Sequence, residues 1–122
     1  MSRGRQTFGD VLRERRLAKG YSLRKFAELV DISPTYLSLV EKNKVEKPPT
    51  AERVKRMAEL LGENPDEMIA LAGRVPGDLS QIIQSQPTQM PELLREASGL
   101  TSEQLKKLTD QARKFKGKDG KS

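Results

Sequence analysis

The sequence predicts an all-α fold. Apolar residues recur at helical spacing, helix-start and helix-stop signals follow one another at short intervals, and nothing alternates with period two over a useful length. Aromatic residues are only 4% of the chain and Trp is absent, so Leu, Val, Ile, Met and Ala must build any core. That supply suits short packed helices better than a β-sandwich, which leans on aromatic and β-branched side chains. With 122 residues the chain is about one ordinary domain, or a small one with an appendage.

Thr7 and Asp10 open the first helix, whose apolar residues are Phe8, Val11, Leu12, Leu17 and Ala18, and Gly20 suits a left-handed end. Ser22 caps a second helix in which Leu23, Phe26, Ala27 and Val30 form one apolar stripe. Only Asp31 and Ile32 precede the next start, Ser33-Pro34, where proline at the first helical position gives up no needed N–H. The third helix is expected over 34–42 with Leu37 and Val40 inward, and Asn43 as a left-handed stop before the basic loop 44–49. Thr50 starts a fourth helix with Val54, Met57, Ala58 and Leu61 on one face, closed by Gly62. Asn64-Pro65-Asp66-Glu67 starts a fifth, to about 72, burying some combination of Met68, Ile69, Leu71 and Ala72.

Beyond Gly73 the signals weaken, because Pro76, Gly77, Pro87 and Pro91 cut the chain into short pieces. Residues 78–84 carry Leu79, Ile82 and Ile83, and residues 91–98 carry Leu93, Leu94 and Ala97. Thr101 to Gln104 fits a capping box opening a helix with Leu105, Leu108, Ala112 and Phe115. The expected organisation is a flexible basic arm at 1–6, a helical domain at 7–73, a helical extension at 76–116 and a disordered tail at 117–122.

The net charge of +6 points to a polyanionic partner, nucleic acid before an anionic membrane surface. Positive charge collects at the two ends: residues 1–50 hold 11 basic against 6 acidic side chains, and residues 101–122 hold 7 against 3. Cys and His are both absent, which removes thiolate and imidazole chemistry, disulfides and most metal sites. No catalytic residue, metal, cofactor or small-molecule ligand is expected. No segment reaches the length of a membrane span, so the reading is cytoplasmic, with no membrane association.

Two helices joined by a short turn, the second starting at a basic surface, form a helix-turn-helix. Ala27 lets the two axes approach, Ile32 plugs the corner, and Leu37 and Val40 anchor the third helix from beneath. The run from Tyr21 to Asn43, with Ala27, Ile32, Ser33-Pro34-Thr35-Tyr36-Leu37-Ser38 and Glu41 in register, resembles the helix-turn-helix of the Xre family, the lambda repressor- and Cro-like regulators. The similarity covers residues 8–72, and it implies a five-helix DNA-binding domain of a transcriptional regulator. Asp31 stands where the family usually has Gly, and Leu23 where many members have Gln on a phosphate. That phosphate contact then falls to Ser22 or Arg24.

The resemblance implies base contacts from Thr35, Tyr36 and Leu39, with Ser38 beside them and Ser33 and Pro34 at the groove entrance. Thr and Leu suit a thymine methyl, while Tyr36 either bonds a base or phosphate or packs over the helix surface. Such readout is softer than bidentate Arg or Gln and leaves a share to DNA shape. Ser22, Arg24, Lys25, Lys42, Asn43, Lys44 and Lys47 are candidate phosphate contacts. Arg3 and Arg5 suit an A·T-rich minor groove, or belong to a terminus with no role. The resemblance also implies an Arg16–Glu41 bridge between the first and third helices.

One recognition helix reads only a few base pairs, so a homodimer on two half-sites is expected, through the extension. Repression is the role that the resemblance implies, and a switch, where there is one, is expected to be a regulatory protein partner or proteolysis rather than a small ligand. The rival readings are a DNA-binding antitoxin of a toxin–antitoxin pair, a Ser-Lys hydrolase, and membrane-surface binding by the basic C-terminal helix.

Overall fold

The computed structural model describes residues 6–120, with side chains through residue 117. Among them are eight helices and no strand: α1 (Phe8–Ala18), α2 (Leu23–Leu29), α3 (Pro34–Glu41), α4 (Ala51–Leu61), α5 (Pro65–Leu71), α6 (Gly77–Ser85), α7 (Gln89–Ala97) and α8 (Ser102–Gly120). Arg3 and Arg5 of the expected arm lie outside the described residues; Gln6 is exposed. The chain divides into two compact units, Met1–Ser80 and Gln81–Ser122, and the division falls inside α6.

In the first unit the helix starts follow the local chemistry. The hydroxyls of Thr7, Ser22, Ser33 and Thr50 and the side chain of Asn64 each accept an N–H from the first turn of their helix, satisfying donors that have no partner within the helix. The core then takes one face from each helix: Phe8 and Leu12, Phe26, Ala27 and Val30, Leu37 and Val40, Val54, Met57, Ala58 and Leu61, and Met68, Ile69 and Ala72. Each large side chain sealed there contributes about 1.5–3 kcal/mol. Leu17 and Leu71 are instead 51% and 41% exposed. Leu17 points about 140° around α1 from Leu12, at 100° per residue, and the inward position of that turn is taken by Arg16.

Five helix ends share one device, a left-handed residue followed by a backbone N–H reaching back five residues. Gly20, Gly62 and Gly73 serve α1, α4 and α5. The two ends that flank α3 use side-chain-bearing residues, Asp31 (φ 57°) and Asn43 (φ 58°). Ile32 N–H donates to Ala27 and Lys44 N–H to Leu39, so both close as full left-handed caps.

The second unit is different. No residue from 81 to 117 is buried. α7 begins before Pro91, because proline in a first turn forfeits no helical bond. α8 opens on a reciprocal box: Thr101 Oγ1 accepts the Gln104 N–H at 3.1 Å and Gln104 Oε1 accepts the Thr101 N–H at 3.0 Å. α8 continues to Gly120, past the start of the tail expected at 117–122. An interior glycine costs only about 1 kcal/mol against alanine, and Lys114 and Lys116 lie toward the negative end of this helix. Among the described residues no helix is long and apolar enough to cross a membrane.

Candidate nucleic-acid interface

α3 is eight residues long, too short to hold itself in water, so its geometry depends on what lies beneath it. Leu37 and Val40 are sealed in the core, and Ala27, fully buried on α2, lets the two helices pack closely. Ile32 at the corner is half-buried against the same core. Glu41 is buried too, its carboxylate receiving Arg16 Nε at 2.7 Å and Arg16 Nη2 at 2.9 Å. Arg16 Nη1 also donates to the Tyr21 carbonyl at 2.9 Å, so one guanidinium ties together α1, the end of α3 and the approach to α2.

The opposite face of α3 is open. Pro34, Thr35, Leu39 and Lys42 are exposed, as is Ser33 at the start. Tyr36 and Ser38 are half-buried rather than fully outward. Tyr36 lays its ring against the core, an amphipathic side chain with an apolar body and a polar tip. The Ser33 hydroxyl accepts the Tyr36 N–H at 3.0 Å and the Ser22 hydroxyl the Lys25 N–H at 3.0 Å, which leaves each its O–H to donate. Leu23, Pro34, Thr35, Ser38, Leu39 and Lys42 line a hollow of about 410 Å³. Leu23 thereby joins the exposed face of α3, a neighbourhood that sequence spacing did not reveal.

The basic side chains surround this face unevenly. Arg24, Lys42, Lys44 and Lys47 are exposed. Lys25 sits 4.0 Å from Glu28 in a solvent-screened pair. Asn43 spends its Oδ1 on the Gly9 N–H at 3.1 Å, leaving its amide NH₂ for any outward contact. The loop before α4 is fastened by Arg74, which donates to the carbonyls of Pro48 at 2.6 Å and Pro49 at 3.1 Å. Arg53 and Arg56 of α4 reach the end of α2, where Arg53 Nη1 donates to Val30 at 2.8 Å and Asp31 at 2.6 Å, and Arg56 Nε to Leu29 at 3.1 Å. These three arginines were missed in the sequence. The one available signal was the i, i+3 spacing of Arg53 and Arg56, beside the buried stripe of α4.

A short helix braced on one side and open on the other, beside basic side chains, defines the helix-turn-helix class of DNA-binding transcriptional regulator. Residues 12–68 match the sequence pattern of the family described as Helix-turn-helix, the Xre or lambda repressor-like type. Among solved structures, the clp gene regulator ClgR from C. glutamicum is 32% identical, covering 54% of this chain and 83% of its own, with a TM-score of 0.45. SinR, a master regulator for biofilm formation crystallised in complex with DNA, is 26% identical over 51% of this chain and 97% of its own (TM-score 0.46). The SinR–SinI complex aligns over 91% of this chain and 99% of its own at 22% identity and a TM-score of 0.47. Comparison with curated proteins finds no match.

Proposed function

We propose that the chain is a repressor that binds an operator as a homodimer, each copy laying α3 in a major groove. One observation carries the reading: Leu37, Val40 and Glu41 are buried while Pro34, Thr35 and Leu39, on the same two turns, face solvent. An α-helix fits the major groove, and the exposed set is apolar or hydroxylated, suited to thymine methyls and single hydrogen bonds. In this reading Ser33, Pro34, Thr35, Tyr36, Ser38 and Leu39 meet base edges. Ser22, Arg24, Lys25, Lys42, Asn43, Lys44 and Lys47 meet phosphates, supplying the salt-dependent part of the affinity. Repression follows from occupancy alone where the operator overlaps a promoter.

The second unit supports the homodimer. Leu93 and Leu94 of α7 and Leu105, Leu108 and Phe115 of α8 are 42–63% exposed, and no residue from 81 to 117 is buried. Short helices with an uncovered apolar face gain most of their stability from packing. A second copy presents the same stripe and is matched to it by symmetry. Two half-sites about 34–36 Å apart then double the base contacts of one helix.

The test is selection of duplex DNA from a random pool by the purified chain at stated salt, beside sedimentation at micromolar concentration. A two-fold symmetric motif and a dimer are expected. Selection without enrichment overturns the DNA reading, and a monomeric chain on a single half-site overturns the dimer.

A further inference from the structure

The turn from α2 into α3 leaves three carbonyl oxygens without a donor from the backbone. The left-handed cap satisfies Ala27 and Glu28 through the N–H groups of Ile32 and Asp31, at 3.0 and 3.1 Å. The next three carbonyls along the chain, those of Leu29, Val30 and Asp31, receive no backbone N–H among the described hydrogen bonds. Val30 has no helical donor in any case, since the residue four positions on is Pro34. All three oxygens are instead capped by α4, two by Arg53 and one by Arg56. Cations at the end of a helix also meet its negative pole, so the geometry and the charge agree.

Asp31 stands in the left-handed region, which strains a side-chain-bearing residue and suits glycine. Nothing in the side chain of Asp31 relieves that strain, for it forms no ion pair with Arg53; the contact runs through the Asp31 carbonyl, at 2.6 Å. At the other end of α3, Asn43 is held by a different outside group, the Gly9 N–H. Both non-glycine caps that bound α3 are thus fastened by another helix.

We infer that Arg53 is a positioning residue for DNA recognition, holding the Asp31 turn and with it the direction in which α3 leaves α2. The inference rests on the proposed role of α3. Arg53 acts through the turn and touches no DNA. Its substitution therefore misaims α3 without removing a phosphate contact, and glycine at position 31 makes the same turn without needing the clamp.

The experiment measures affinity for the duplex selected by the wild-type chain, across a salt series, for R53M, R53K, D31G and D31G/R53M. R53M is expected to bind on the order of tenfold more weakly, the scale of one lost charge-assisted hydrogen bond. Its slope of log affinity against log salt stays at the wild-type value. R53K recovers most of the loss, and D31G/R53M binds within about threefold of D31G, so the loss seen in R53M does not repeat on the D31G background and the two changes are non-additive, as coupled neighbours are. Unchanged affinity in R53M overturns the inference. A slope lower by about one also overturns it, since Arg53 then holds a phosphate. So does a D31G/R53M variant as impaired as R53M. If R53M fails to fold, D31G/R53M must fold and bind, and failure of both variants sinks the idea. Failure of the wild-type selection, by contrast, strikes the role of α3 and not the clamp. The clamp is read separately in the protein alone, as faster amide exchange at Ile32 in R53M that D31G/R53M reverses.

Discussion

The guanidinium of Arg16 meets the carboxylate of Glu41 in a fork, 2.7 Å from Nε to Oε2 and 2.9 Å from Nη2 to Oε1, with both side chains under a tenth exposed. The pair joins α1 to the last residue of α3 at the bottom of the core. Among the described residues no buried side-chain polar atom lacks a partner. A buried ion pair of this kind is weak as a source of stability but costly to break, because the survivor is left charged and unsolvated. Glu41→Ala is expected to cost about 3–5 kcal/mol in urea unfolding of the full chain. Replacing both partners by Met and Leu costs much less than the two single changes together. A single-variant loss below about 1 kcal/mol, the scale of an exposed pair, contradicts the burial argument.

The exposed face of α3 makes a second prediction, independent of the first. Leu39 is 39% exposed and contributes nothing to the sealed core, so Leu39→Ala leaves the melting temperature within about 2 °C, the range of neutral surface changes. Binding to the selected duplex weakens by about 1 kcal/mol, the scale of one apolar group withdrawn from water, as contact with a thymine methyl requires. Uracil in place of that thymine reproduces the loss in the wild-type chain and adds nothing in Leu39→Ala. Additive losses from the two changes refute the pairing.

The helices of the first unit were legible because their signals are local. Ser33-Pro34 and Asn64-Pro65 mark helix starts through chemistry within one turn, and Val54, Met57, Ala58 and Leu61 repeat at the helical period. Asn43 was readable as a left-handed stop for the same reason, whereas the turn at Asp31 was read from the resemblance, in which Asp31 stands where the family usually has Gly. The fastening of those stops was not. Arg53 lies 22 residues from Asp31 and Gly9 lies 34 from Asn43, and neither contact follows from a pattern within one element. Leu17 shows the limit of composition: it is one of the apolar residues of α1, yet helical rotation carries it to solvent. The exposed side of α3 followed from placing Leu37 and Val40 inward, and only its base contacts came from a resemblance. Periodicity separates inside from outside, yet Tyr36 and Ser38 sit at the margin, where a few degrees of rotation decide.

Lys44 sits in the loop after α3, exposed and outside every ion pair found among the described residues. A lysine of this kind holds a phosphate as a point charge and carries no base information. Lys44→Gln is expected to weaken binding to the selected duplex and to an unrelated duplex by the same factor. It also lowers the salt slope by about one, the release of a single counterion. Titrations at four salt concentrations check both parts, and a loss confined to the selected sequence rules the assignment out.

Gly9 provides the most direct test of how α1 supports α3. It is buried in the first turn of α1, and its N–H donates to Asn43 Oδ1 at 3.1 Å. A Cβ built there lies 2.6 Å from that same oxygen and 2.7 Å from the Glu41 carbonyl, both nearer than side-chain carbons approach. The main-chain oxygen of Glu41 has little room to yield, because the Glu41 side chain is tied to Arg16. Gly9→Ala therefore pushes α1 away from the end of α3 and breaks the bond that holds Asn43. Overpacking of this kind costs about 1–3 kcal/mol, against a gain of up to about 1 kcal/mol from helix propensity. The net is a lower midpoint in urea, accompanied by faster exchange at the Lys44 N–H, which closes the cap at 2.9 Å to Leu39. A Gly9→Ala chain as stable as the parent means that the two helix ends do not press on one another.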